Sequence, residues 1–211
     1  MNYHKKEFMK KLFITSLLLF ILGATGFAQQ HGYLLGFAWE PNFPKNSGYL
    51  NQTSFRGGKF EYRYYVNKEF SVGLAMNWAT YEQYFPPHTY EKADGSMAIN
   101  GDFLAQAYQF PITATAHYYF HETKILKPYA GIAIGGQYMK QSLFYNVYES
   151  DDDNWGFVVR PEIGTIIQPK DWGEFGFIVG ADYSYATNKN SIVNKDNFQN
   201  IGLTVGIVIN Y

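Results

Sequence analysis

The last eleven residues, Ile201 to Tyr211, alternate with a period of two. Ile201, Leu203, Val205, Ile207, Ile209 and Tyr211 are apolar. Gly202, Thr204, Gly206 and Asn210 between them are small or polar, and only Val208 breaks that second set. A helix cannot sort its side chains this way, whereas a strand with one apolar and one plain face does so at every step. About ten residues is also the length a tilted strand needs to cross a bilayer. A chain built from such segments must close its sheet into a ring, because lipid offers no partner for an open edge.

The opposite end predicts a secreted protein. Lys5, Lys6, Lys10 and Lys11 form a positive n-region, Leu12 to Ala24 is apolar but for Thr15, Ser16 and Gly23, and Gly26-Phe27-Ala28 supplies small residues before Gln29. These are the parts of a secretory signal peptide, and the apolar run is too short for a spanning helix. Residues 1–28 are therefore read as signal and 29–211 as one domain, with Met1 or Met9 as the start. The 18 acidic and 17 basic residues tip further towards acid once those lysines leave. An acidic chain argues against a nucleic-acid partner. There is no cysteine, so neither a disulfide framework nor a thiolate metal site can form. Aromatics make up 19% of the chain, a load expected of a barrel with aromatic girdles at both membrane interfaces.

Period-two alternation marks eight strands: Gly32 to Trp39, Gly57 to Val66, Phe70 to Thr80, Leu104 to Phe120, Pro128 to Tyr138, Gly156 to Ile167, Gly173 to Ala186, and Ile201 to Tyr211. Pro111 within the fourth predicts a bulge, since proline cannot donate to a ladder. The connections sort by parity. Asn67 to Glu69, His121 to Lys127 and Gln168 to Trp172 are short. Glu40 to Phe55, Tyr81 to Phe103, Met139 to Trp155 and Thr187 to Gln199 are long and polar. Short turns on one side and long loops on the other are the pattern of an outer-membrane barrel. The fold class predicted is all-β: an eight-stranded antiparallel up-and-down transmembrane β-barrel.

Three phrases then carry a family resemblance: Phe110-Pro111-Ile112-Thr113-Ala114-Thr115-Ala116-His117-Tyr118-Tyr119-Phe120, Lys127-Pro128-Tyr129-Ala130-Gly131-Ile132-Ala133-Ile134-Gly135, and Pro161-Glu162-Ile163-Gly164. They resemble the small outer-membrane barrels of the OmpA-barrel, OmpX and OmpW kind, most of all the outer membrane protein beta-barrel domain group. The resemblance spans the mature chain and implies a location in the outer membrane of a Gram-negative cell. It also implies contact with outer-membrane lipid and lipopolysaccharide and assembly by the barrel-insertion machinery. The terminal aromatic Tyr211 resembles the targeting signal of such barrels, with Tyr in place of the commoner Phe. A shared scaffold does not specify an activity.

Chemistry has to come from the inward faces and the loops. Parity turns Lys59, Glu61, Arg63, Arg160, Glu162, Glu174 and Asp182 towards the lumen. Buried charges must pair, so this set reads as a salt-bridge plug, with a narrow polar track as its rival. A soluble lipocalin-like barrel would need the apolar face inside, whereas here it points out. Of the mature histidines His31, His88, His117 and His121, only His88 falls on the extracellular side, and no His-x-Ser pair accompanies it, so the partners of a hydrolytic triad are not placed on one rim. No catalytic residues are assigned on this basis, and no cofactor is expected. The aromatic Tyr84, Phe85, His88 and Tyr90 around Pro86-Pro87 are loop candidates for a protein or glycan partner. Asp151, Asp152 and Asp153 are weak candidates for a divalent ion, lacking the Gly and distal Glu of a dedicated calcium loop. The reading reached is a non-enzymatic membrane-structural or surface-interaction barrel. A narrow channel for a small or hydrophobic solute and a lipid A-modifying enzyme are the alternatives.

Overall fold

The computed structural model describes residues 32–45, 49–91, 98–120, 123, 125–145, 148–169, 172–189 and 195–211. The signal segment read from the sequence lies outside the described residues. Among the described residues there are nine strands: β1 (Tyr33–Trp39), β2 (Asn42–Lys45), β3 (Arg56–Tyr65), β4 (Phe70–Glu91), β5 (Ala98–Tyr119), β6 (Leu126–Tyr145), β7 (Tyr148–Ile167), β8 (Phe175–Ala186) and β9 (Phe198–Asn210). All pairings are antiparallel: β1 pairs with β3, β3 to β9 pair in sequence order, and β9 returns to pair with both β1 and β2. The register against β9 runs unbroken from Trp39↔Val205 to Asn42↔Gly202. β1 and β2 are thus one wall segment interrupted at Glu40-Pro41, and the ring has eight segments. It is the antiparallel up-and-down barrel that the alternation predicts.

The outward faces explain why a ring forms at all. Leu74, Met76, Ile112, Ile132, Ile134, Ile163, Val179, Val205 and Ile207 stand exposed on the wall. Aromatics bracket them: Tyr33, Phe70, Tyr118, Phe175 and Tyr211 at the turn end, Trp39, Trp78, Tyr108 and Trp155 at the other. An apolar band between two aromatic girdles is stable only against lipid.

Inside, the barrel is filled in three layers. At the turn end Leu34, Tyr119, Tyr129, Ile166, Ile178 and Val208 form an apolar floor. Polar and charged side chains fill the middle. At the far end Tyr81, Ala105, Ala107, Met139 and Phe198 close over Leu50, which the β2–β3 connection tucks into the mouth.

Three sequence expectations need correction. First, the connections expected between Tyr81 and Phe103 and between Met139 and Trp155 are mostly strand: β4 and β5 run 22 residues each, β6 and β7 20 each. Their pairing continues to Glu91↔Ala98 and Tyr145↔Tyr148. β3 leaves β4 at Arg56↔Thr80 and β8 leaves β7 at Val158↔Ala186. Beyond these points β4 to β7 stand clear as a four-stranded sheet about ten residues tall, roughly 33 Å along the strands. Second, Pro111 makes no bulge. The registers of β5 with β4 and β6 are the same on either side of it, and the shift in β4–β5 lies at Phe85/His88, where Pro86-Pro87 sits. Two consecutive residues without N–H groups disturb a ladder more than one does. Third, Glu174 precedes β8, in the turn that holds Gly173 at φ 61°, and is exposed. Parity counted from the strand does not extend into a turn.

Candidate functional site

The middle layer arises because the inward positions of β3, β7 and β8 carry charge where those of β4, β5 and β6 carry small residues or neutral polar ones such as Asn77, Gln109 and Gln137, with His117 among them. Lys59, Glu61 and Arg63 follow one another up the inner face of β3; Arg160 and Glu162 do so on β7, and Asp182 on β8. The glycines opposite make room: a Cβ at Gly36 or Gly202 would meet Glu61 or Asp182.

Two nodes result. In the first, Glu162 is shared across the lumen. Lys59 Nζ reaches its Oε2 at 2.8 Å, while Arg63 Nη2 at 3.4 Å and His117 Nε2 at 2.5 Å both reach Oε1. Glu61 ties Lys59 at 3.1 Å and Arg63 at 2.9 Å. The Arg63 guanidinium also lies 4.2 Å from the centre of the Tyr129 ring and donates to the Tyr119 hydroxyl at 3.2 Å, which seats the node on the apolar floor. In the second node Arg160 donates from Nε at 3.0 Å and Nη2 at 2.8 Å to one oxygen of Asp182, and from Nη2 to Glu40 Oε1 at 2.9 Å. Asn77 donates to the other Glu40 oxygen at 2.6 Å.

Of the residues expected in the lumen, the structure brings together Lys59, Glu61, Arg63, Arg160, Glu162 and Asp182, and leaves Glu174 outside. Two further members were not read from the sequence. Glu40 was assigned to a loop, although inward parity continues one step past Trp39. His117 faces inward on β5 by the same parity as Thr113 and Thr115, but it carries no permanent charge to mark it. Among the described residues, four lumen carboxylates (Glu40, Glu61, Glu162, Asp182) thus face three permanent cations (Lys59, Arg63, Arg160), and a protonated His117 would make the sum neutral.

Two chemistries can be tested against this geometry. Glu61, His117 and Glu162 offer ligand atoms within 4.8 Å of one another. Yet Lys59 and Arg63 already occupy both carboxylates, and a dication there would sit against two ammonium-type charges. Ser71 Oγ lies 3.5 Å from His117 Nδ1, and Glu162 holds the other ring nitrogen, in the order of a hydrolytic triad. Ser71 and His117 are 0% exposed, where the polar layer meets the apolar floor, so no substrate reaches the hydroxyl. Both sets are built into the first ion-pair node and its contacts with the floor.

The partner candidates sit on strands. Tyr84 points outward and donates to Asp102 Oδ2 at 3.1 Å. Phe85, its neighbour, turns inward onto the apolar cap. His88 is exposed just past the register shift, and Tyr90 pairs with Ile99. They form no single sticky loop. Asp151, Asp152 and Asp153 lie in β7 opposite Ser142, Gln141 and Lys140. Consecutive strand residues face opposite sides, so the three carboxylates cannot converge on one ion. Asp151 instead meets Lys140 Nζ at 2.8 Å, and that hydrogen bond holds its carboxyl below the usual range while pushing the ammonium up.

Comparison with known proteins agrees with the ring. The family model of the outer membrane protein beta-barrel domain matches residues 14–208. Among solved structures, Ail, the attachment invasion locus protein of Yersinia pestis, crystallised with the heparin analogue sucrose octasulfate, aligns with TM-score 0.52 at 15% identity. The alignment covers 87% of this chain and 100% of that one. Neisserial surface protein A aligns with TM-score 0.50 at 16% identity over 85% of this chain and 96% of its own. At such identities these likenesses concern the fold alone. No curated protein matches the chain. On the strength of the family match over nearly its whole length, the chain belongs to the outer membrane protein beta-barrel domain family.

Proposed function

We propose that this is a closed, non-enzymatic barrel that presents the raised β4–β7 sheet outside the cell as an interaction surface for a protein or glycan. In this family short turns face the periplasm and long connections face outward, which directs the sheet outward from the lipopolysaccharide leaflet. The observation that carries the reading is the sheet itself. About ten residues suffice to cross the membrane, yet β4 and β5 each have 22. Extending a sheet where a tight turn would close the barrel is costly in chain entropy without a use for the surface. The filled lumen supports the same reading, because an eight-stranded ring packed with floor, ion pairs and cap leaves no water column.

The test joins two measurements. Protein in planar bilayers should give no steady conductance; a stable ion-selective current would favour the narrow channel instead. A variant with residues 86–102 replaced by a two-residue turn after the Phe85↔Phe103 pair should keep the heat-dependent gel mobility of a folded barrel and lose attachment of whole cells to immobilised glycans or proteins. Attachment unaffected by that deletion, or absent from the parent protein, would overturn the reading.

A further inference from the structure

On the outer wall, just above the far girdle, the β2–β3 connection and β4 enclose a groove of about 270 Å³. Phe55, Arg56, Glu82 and Tyr84 frame it, with Gln52 and Thr53 along one side. The groove is rigidly built. Ser54 exchanges backbone hydrogen bonds with Asn42 at 2.8 Å each, and its hydroxyl donates to Thr80 O at 2.5 Å. The amides of Asn51 and Gln52 both donate to Gln83 Oε1, at 2.8 and 3.1 Å. The Trp39 indole donates to Phe55 O at 2.8 Å and stacks on the Phe55 ring at 6.1 Å.

The contents of the groove point to one ligand chemistry. Two rings stand open in it, Phe55 at 63% and Tyr84 at 51% exposure. Beside them Arg56 Nη1 donates to Glu82 Oε2 at 3.1 Å. That bond uses one of five guanidinium N–H groups and one carboxylate oxygen, leaving donors and an acceptor side by side. The paired charge is nearly neutral, so a bare anion gains little. Adjacent hydroxyls on a ring, one accepting and one donating, with an apolar face laid on an aromatic, suit it better. The volume is close to the lower bound for small-molecule sites, roughly 300 Å³, room for one sugar unit and not a chain. Height decides the source. Phe55 stacks on Trp39, an outward-facing girdle residue, so the groove lies beside the girdle, at the level of lipid headgroups.

We infer that this groove is a saccharide subsite for the sugar headgroup of a glycolipid in the same outer leaflet. It shares Glu82 and Tyr84 with the base of the raised sheet, but the point substitutions below leave that sheet in place, so its failure is distinguishable from failure of the role proposed above. The test is native mass spectrometry of the refolded chain in detergent, with rough lipopolysaccharide, phosphatidylglycerol, or the core oligosaccharide freed of acyl chains. The wild type should retain the glycolipid. Arg56→Ala and the double variant Phe55→Ala/Tyr84→Ala should each weaken that retention at least tenfold, with phosphatidylglycerol unaffected. The freed oligosaccharide should compete only at far higher concentration than the glycolipid. Heat-dependent mobility confirms that each variant is folded, and Arg56→Ala alone decides if the double variant is not. Glycolipid retention unchanged in folded Arg56→Ala overturns the inference, as does parallel loss of phosphatidylglycerol. Freed oligosaccharide binding as tightly as the glycolipid would also overturn it, assigning the groove to a soluble glycan.

Discussion

Replacing Arg160 by methionine tests the plug most directly. Its guanidinium holds Asp182 through two N–H groups and Glu40 through one, and both carboxylate side chains are 1% exposed. Methionine fills similar volume but strands two carboxylates in the interior. Breaking one buried pair costs about 3–5 kcal/mol, chiefly the desolvation of the charge left behind. Asn77 still donates to Glu40, so the upper half of that range, about 4–5 kcal/mol, is expected rather than twice it. That is on the order of a thousandfold in the folding equilibrium. The triple variant Arg160→Met/Glu40→Gln/Asp182→Leu should regain most of the loss, because replacing a whole buried ion set by groups of like volume is roughly neutral or stabilising by about 1–4 kcal/mol. Urea titration into lipid vesicles, followed by the fluorescence of the girdle tryptophans and by gel mobility, measures both. The reasoning fails if Arg160→Met costs less than about 1 kcal/mol, or if the triple variant is as unstable as the single one.

The lipid-facing assignment predicts depth dependence: Val205→Arg at mid-band should cost about 2–4 kcal/mol and Gln106→Arg above the girdle about 0–1, and equal costs by vesicle refolding would refute the placement. A Cβ at Gly58 would lie 2.2 Å from the Trp78 ring, so Gly58→Ala should displace that indole, lower stability by about 1–3 kcal/mol and shift tryptophan emission; an unchanged spectrum would count against the packing. Because Lys140 holds the Asp151 carboxyl low, the stability this pair lends is present at neutral pH and disappears as pH falls through the folded-state value. Both side chains are well exposed, so Asp151→Asn should leave the neutral-pH urea midpoint within replicate scatter, and a clear drop would show a tighter pair than the geometry allows.

The sequence by itself determined the compartment and the ring. Each strand's side chains alternate strictly, so the choice of Val205, Ile207 and Ile209 for lipid and Thr204 for the lumen is a matter of counting, with no distant partner needed. It also determined that Lys59, Glu61, Arg63, Arg160, Glu162 and Asp182 share the inside, since burial there follows from the same parity. Where local signals end, so did legibility. Pro41 hid that β2 continues β1, which removed Glu40 from view. The polar alternation of 81–91 with its Pro86-Pro87 step looks like a loop until β5 pairs with it. Partner choice within the lumen belongs to the closed barrel alone. Arg160 does not pair with Glu162, its neighbour on the same face, but with Asp182 on the next strand and Glu40 far away in sequence. Lys59 and Arg63 on β3 meet Glu162 on β7 only because the ring folds one wall across to the other. Parity is set by the period of a single chain segment, whereas the meeting of charges depends on the curvature and closure of the whole sheet.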